Sequence, residues 1–430
     1  IILGGALYLI FVDRDRRSLG PQRGKGGPLA GIRGAFKRKQ KAAPVYKDKR
    51  KKLETRAEKT VGEKPAKTAK FAKPAKKTGL GKRLAAVGLV TSATLVLSGC
   101  SADYWPQHKK ESGPQQLQQQ KTAPTVSAQQ IERIVADIVK VSNEADKAKN
   151  AELLKSRFES DALAQRVANY KIRGAVADYA VVPPYILDQR LGYELIQQTS
   201  GWPRHVLVTV GSAAAPPTAE KPAAAAASLG LLLVQKDAHT NFKVSQVFAL
   251  RGGVQLPEAA AADIGTAVLD NAVKTLRVSP AELGKDYALA LVQGKNGEAA
   301  KKFNVNADPI MAAGGASWVA SEQSRGNNSE GKATYSVTAA PTETKPVAIS
   351  TGKGGALVML SINEFRKIAA DDRSELPVGN VVKAIAGFEG KVKMLEQQVQ
   401  HQLIFYVPGA NDQAKPELLG SSSELVGAKK

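Results

Sequence analysis

Cysteine is almost absent: one residue, Cys100, in a chain of 430. No internal disulfide can form, and metal sites built from several thiolates are excluded. Histidine is nearly as scarce. His108, His205, His239 and His401 stand far apart, no pair has i, i+4 spacing and none has an adjacent Glu, so the zinc-hydrolase pattern is missing. No G-x-S-x-G occurs. The Gly-rich stretch Ser350-Thr351-Gly352-Lys353-Gly354-Gly355 lacks the phosphate-loop spacing and precedes a strand pattern, so it reads as a hairpin turn. Asp371-Asp372 could pair as carboxylates, but they sit among Arg366, Lys367 and Arg373 and read as a solvated loop. Nothing in this inventory names a reaction.

What is abundant is positive charge, and it is localised. The formal net charge is +23. Residues 1–100 hold 25 Lys+Arg and 6 Asp+Glu, a net of +19; the other 330 residues hold 37 and 33, a net of +4. A nucleic-acid tail and a cytoplasmic segment resting on anionic lipid compete for the basic stretch 13–83. Apolar segments on both sides favour the second. With almost no core-forming residues, 13–83 is expected to be disordered.

The apolar segment at 1–12, "IILGGALYLIFV", spans only about 18 Å as a helix, short of a bilayer core of about 30 Å. It is read as the last part of a longer transmembrane helix. The second apolar segment follows Lys82-Arg83 and runs from Leu84 to Leu97, the length of a secretory h-region. Leu97-Ser98-Gly99-Cys100 then resembles the bacterial lipobox, in which a signal peptidase cleaves before a cysteine that has received a diacylglyceryl group. That resemblance implies lipid attachment at Cys100. The sequence departs from the pattern in carrying about 80 residues ahead of the signal. Left uncleaved, 84–100 would be a signal anchor with the same topology. Residues 101–126 are polar and Gln-rich and read as a flexible tether, with Trp105 placed to sit at the membrane interface.

The body reads as a weak repeat. Ser127-Ala128-Gln129-Gln130 and Ser279-Pro280-Ala281-Glu282 each fit a capping box. Ile131, Ile134, Val135, Ile138 and Val139 form a helical stripe after the first; Leu283, Tyr287 and Leu291 follow the second. A second short helix follows in each half. Strands are then expected near 205–211, 228–238 and 242–250, and near 317–324, 333–340, 346–369 and 391–408. Helices followed by antiparallel strands make the fold class α+β. The expected organisation is two tandem domains, 127–258 and 277–412, joined by a linker at 259–276 and followed by a C-terminal tail at 413–430. Each half resembles a nuclear-transport-factor-like cone. Together with the lipobox and the ending "HQLIFYVPGANDQAKPELLGSSSELV", the pattern is similar to an uncharacterised group of actinobacterial lipoproteins, over residues 84–425. That resemblance brings no catalytic residues with it.

Tyr185, Trp202, His205 and His401 are the candidates for lining a pocket in a sheet concavity. Core packing competes for Trp202, as it does for Trp318, and structural or solvated roles compete for the histidines. The expectation is an extracytoplasmic lipoprotein of the cell membrane with a binding or envelope-assembly role. Its partners would be membrane lipid, through Cys100 and the basic segment, and envelope proteins or glycans. No cofactor, metal or nucleic acid is expected. The alternative is a cell-envelope transferase or hydrolase with its site in the concavity.

Overall fold

Ser127 starts the folded region as the spacing predicts. Its Oγ accepts from Gln130 N at 3.3 Å, and its own N–H donates to Gln130 Oε1 at 2.7 Å. Two orphan donors at the helix start are thereby satisfied reciprocally. Helix α1, Ala128–Ala148, buries Ile131, Val135, Ile138 and Val139, its predicted stripe. The computed structural model describes residues 124–216, 226–260, 266–326, 333–352 and 354–430. The segments 1–12, 13–83 and 84–100, and the tether up to residue 123, lie outside the described residues.

After α1 come α2 (Ala151–Leu154) and α3 (Ser160–Ala175), then β1 (Tyr185–Ile196), β2 (Arg204–Ala213), β3 (Leu229–Gln235) and β4 (Lys243–Leu250). The strands form an antiparallel meander. Alternate residues Val206, Val208 and Val210 of β2 and Leu229, Leu231 and Leu233 of β3 pack under the α1 stripe. The second half begins with β5 (Val268–Leu269) and α4 (Pro280–Gln293). A 3₁₀ turn (Ala299–Lys302), α5 (Pro309–Ala313) and α6 (Gly315–Gly326) follow. Then come β6 (Ala333–Pro341), β7 (Val347–Ser350), β8 (Ala356–Ala370), β9 (Leu376–Pro377), α7 (Asn380–Ala386), β10 (Lys391–Val392), β11 (Met394–Val407) and β12 (Glu417–Lys429). Leu283, Tyr287 and Leu291 of α4 cover Val358 and Leu360 of β8 and Leu403 and Phe405 of β11. Tyr287 meets Phe405 edge-on at 4.9 Å.

The class is therefore α+β, helix layers against antiparallel sheet. The halves do not, however, form two sheets. Ten strands run in one order, β1-β2-β3-β4-β12-β11-β8-β7-β5, with β6 also on β8. The expected tail 413–430 is corrected: it holds β12, which joins the halves by pairing Gly420 with Leu250 and Ser421 with Ala249. A Cβ at Gly420 would stand 2.7 Å from Ala249 O, so the close approach requires glycine. The expected linker 259–276 is also corrected. Its Val268 and Leu269 pair with Ile349 and Ala348. Thr266 bridges Gln197, just past β1, which returns the two edges of the sheet to each other. The enclosed face carries one shared core: Leu195, Leu207, Leu232 and Phe248 from the first half, and Leu357, Met359, Ile404 and Leu419 from the second.

Two local expectations also fail. Residues 317–324 are helical, in α6, where Trp318 and Glu322 share the buried face at i, i+4. Ser279 is the N-cap of α4 but its side chain makes no cap bond. Pro280 has no N–H to satisfy, and Ala281 N donates instead to Asn271 O at 2.9 Å.

Candidate functional site

Strand register builds the most chemically loaded group in the domain. On β11, His401 lies opposite Ser423 of β12 and Ile362 of β8, and Val399 lies opposite Glu364. Alternation puts Glu364, His401 and Ser423 on one face, in a diagonal row across three adjacent strands. His401 Nε2 stands 2.9 Å from Glu364 Oε2, and Nδ1 stands 2.7 Å from Ser423 Oγ. Arg366 grips both Glu364 oxygens, Nε at 2.9 Å and Nη2 at 3.0 Å. Gly315 N, at the start of α6, donates to Oε1 at 2.8 Å. Burial alone would push the Glu364 carboxyl up. The Arg366 guanidinium and the His401 contact outweigh it and hold the group well below the usual carboxylate range. An ionised carboxylate only accepts, so in the neutral ring the proton sits on Nε2 and the lone pair of Nδ1 faces Ser423.

The opposite face of β11 carries a polar belt against α3. Gln165 Nε2 donates to the carbonyls of Gln400 at 3.0 Å and Ser422 at 3.2 Å, and Ser422 Oγ donates back to Gln165 Oε1 at 3.0 Å. Gln400 Nε2 donates to Asp161 Oδ1 at 3.1 Å. Gln246 of β4 reaches Ser361 of β8 at 2.8 Å, and Gln402 Oε1 accepts from Val247 N at 2.7 Å. Burial raises the Asp161 carboxyl, opposed by hydrogen bonds from Ser361, Thr344, Gln246 and Thr342. Glu424 is enclosed beside this belt. It accepts from Tyr179 OH at 2.7 Å, Asn169 Nδ2 at 2.8 Å and Leu425 N at 2.8 Å. Burial pushes its pKa up to about 7. These contacts satisfy polar groups inside the fold and tie α3 of the first half to strands of the second.

The sequence-predicted residues are not brought together. Tyr185 is buried at the start of β1, its hydroxyl accepting from Arg173 Nη2 at 3.2 Å. Trp202 neither packs in the sheet nor lines a concavity. It is 44% exposed in the loop joining β1 to β2, with the Arg204 guanidinium 4.4 Å over its ring. His205 is buried on β2 with Nδ1 3.1 Å from Gln197 Oε1, and burial lowers its pKa. His401 alone meets a carboxylate. Trp318 is buried on α6, edge-on to Tyr335 at 6.0 Å. His239 and Asp371 sit in turns, and Ser350 pairs with Ala356, as the expected hairpin between β7 and β8 requires. Leu97, Ser98, Gly99, Cys100, Trp105 and His108 lie outside the described residues. Sequence reasoning missed Glu364, Ser423, Asp161 and the Gln residues of β11. A signal existed: Gln397-Gln398-Val399-Gln400-His401-Gln402 places polar residues on both faces of a strand that ends in "LIFYV".

Two open grooves lie elsewhere, along α4 and the 3₁₀ turn. Lys301 and Lys415 border both, and neither reaches His205 or His401. Among the described residues, no three His, Cys, Asp or Glu side chains stand close enough to share a metal ion. No helix among them is long and apolar enough to cross a membrane. Residues 122–430 match the family model described as a domain of unknown function, DUF8094. The chain belongs to the DUF8094 family. Comparison with curated proteins and with solved structures finds no match. The DUF8094 match takes in both halves, from just before Ser127 to the end of β12, as does the single sheet.

Proposed function

We propose that this DUF8094 protein is a membrane-anchored extracytoplasmic lipoprotein whose folded region serves binding or envelope assembly. The observation that carries the reading is Leu97-Ser98-Gly99-Cys100, with its unique thiol, directly after a basic flank and a 14-residue apolar run, Leu84–Leu97. The thiol becomes the thioether to diacylglycerol; residues 13–83 stay on the cytoplasmic side against anionic headgroups, and 101–126 tether the domain outside. The similarity to actinobacterial lipoproteins belongs to the same proposal, as does kinship of each helix-then-strand half with the nuclear-transport-factor-like cone. Aliphatic and aromatic side chains fill the enclosed face of the sheet, which supports recognition of envelope proteins or glycans by the outer surface. The test is incorporation of a labelled fatty acid in cells. Wild type should be labelled and processed, and Cys100→Ala should be neither. A wild-type protein whose Cys100 remains a free thiol overturns lipidation and leaves a signal anchor. A reporter at Ala128 active only in the cytoplasm overturns the topology.

The second reading, an envelope hydrolase or transferase, is favoured by one observation: the buried carboxylate of Glu364 beside His401.

A further inference from the structure

The two grooves along α4 and the 3₁₀ turn share Lys301 and Lys415 on their walls, so they run into one another and form one track. Their volumes are about 570 and 560 Å³, each the size of a small-ligand site. Hydrogen bonds fix the walls. Asn304 N donates to Pro416 O at 2.8 Å, and Asn304 Nδ2 donates to Glu417 Oε2 at 3.2 Å, which seats the stretch carrying Lys415 against the turn carrying Lys301. In the second groove, Arg277 N donates to Pro408 O at 2.9 Å and Arg277 Nη1 to Asp412 O at 2.6 Å.

Charge along this track is unbalanced. Three carboxylates border it, and each already has a cation: Glu282 has Lys285 at 3.2 Å, Asp286 has Lys302 at 2.8 Å, and Glu417 has Arg251. Of the bordering cations, Lys295, Lys415 and Arg277 have no carboxylate partner among the described residues. Lys301 meets only Glu298, in a pair exposed on both sides. Such a pair is weak and screened, so Lys301 can exchange its partner. Positive charge spread over two joined grooves fits a chain of anions better than a single one. Half-buried Tyr406 and the exposed amide of Asn306 also line the first groove, as contacts for carbon-bound hydrogens and for hydroxyls.

We propose that this track binds an anionic polymer of the cell envelope, a polyol or sugar chain bearing phosphates or carboxylates at intervals, with Arg277, Lys295, Lys301 and Lys415 as its anion contacts. The inference rests on the extracytoplasmic placement proposed above and gives it a surface and a ligand class. Ammonium and guanidinium groups hold phosphate and carboxylate oxygens through charge-assisted hydrogen bonds, and the attraction sums over successive charges of the polymer. The fixed walls mean that little order has to be imposed on the protein when the chain binds.

The test is lysine footprinting of the full-length protein with an acetylating reagent, read residue by residue by mass spectrometry, with poly(glycerol phosphate), polygalacturonate or neutral dextran added. Reading single residues separates the track from the basic stretch 13–83. At least one of the two anionic polymers should slow acetylation of Lys295, Lys301 and Lys415 about fivefold once the site is mostly filled, and leave Lys140 of α1 and Lys391 of β10 unchanged. Dextran should protect none of them. Lys301→Glu combined with Lys415→Glu should raise the polymer concentration that half-protects Lys295 about tenfold or more, with an unchanged melting temperature. If that variant does not fold, the wild-type footprint decides. Cys100→Ala should give the wild-type footprint, so that a failed anchor and a failed groove register separately. No protection at Lys295, Lys301 and Lys415 by either polymer, or equal protection at Lys140 and Lys391, overturns the proposal. Protection as strong from duplex DNA or phosphatidylglycerol vesicles at equal charge overturns it too.

Discussion

The two halves of the domain bury charge differently. In the first, Arg166 donates to Asp146 at 2.7 Å with both side chains sealed from solvent. Tyr170 OH and Ser142 Oγ donate to the same carboxylate at 2.6 and 3.5 Å, and Arg166 Nη2 donates to Pro184 O at 3.2 Å. All these residues belong to α1, α3 and the chain that follows, and the network closes on itself. In the second half, Glu364 gathers donors from α6, β8 and β11, and the line continues through His401 to a half-buried serine. The first network fixes how two helices pack; the second fastens the start of a helix to strands of the sheet. The same ingredients, a buried carboxylate and a guanidinium, thus join helix to helix in one half and helix to sheet in the other.

Removing one partner of the closed pair should give the largest effect. Arg166→Met strands Asp146 without its counter-charge and should cost about 3–5 kcal/mol in urea unfolding, while Arg166→Met with Asp146→Leu should recover most of that. If Glu364→Gln in the second half costs less than about 1 kcal/mol in the same experiment, its carboxylate does not fasten helix to sheet and the comparison between the halves fails.

Glu424 joins the halves, and its raised pKa makes that link pH-dependent. Its folded value of about 7 exceeds the ordinary 4.5. Between those values the folded protein holds a proton that the unfolded chain releases, so stability falls as pH rises through this window and then levels off. The loss should approach about 3 kcal/mol and vanish in Glu424→Gln, as read from melting curves across pH 4 to 8.

The sheet junction comes next. Gly420→Ala forces a Cβ to 2.7 Å from Ala249 O and should cost about 1–3 kcal/mol. Gly427→Ala, whose Cβ would meet nothing nearer than Gln398 Oε1 at 3.5 Å, should stay within about 0.5 kcal/mol. Equal effects in thermal unfolding would mean that the halves are not held together through β4 and β12. The smallest effect compares the helix starts. Ser127→Ala should cost about 1 kcal/mol through its lost cap, and Ser279→Ala at most about 0.5, because no side-chain cap exists there to lose.

Local pattern carried much of the architecture. The Ser127 box and its apolar stripe marked α1, and short β-rich runs marked β2, β3, β4, β6, β8 and β11, because each signal needs only neighbours within a few residues. Strand β1 was less legible: register shifts between Ile186 and Arg190 and between Arg190 and Glu194 break its alternation. The ending "ELLGSSSELV" read as a tail because Gly420 and Ser421–Ser423 are poor strand formers; they are ordered by β11 on one side and, at Gly420 and Ser421, by β4 on the other.

The sequence by itself determined which residues of a strand share a face, and so that His401 would lie with Val399 and Leu403. It also determined that the one thiol follows an apolar run after a basic flank. The tertiary structure alone decided that β12 lies between β11 and β4, merging two helix-then-strand halves into one sheet, and that Glu364, His401 and Ser423 form a row. Periodicity reports the face of a strand but carries no information about its neighbour. Contacts spanning 37 and 22 residues are set by pairing register and by a glycine that lets two backbones approach.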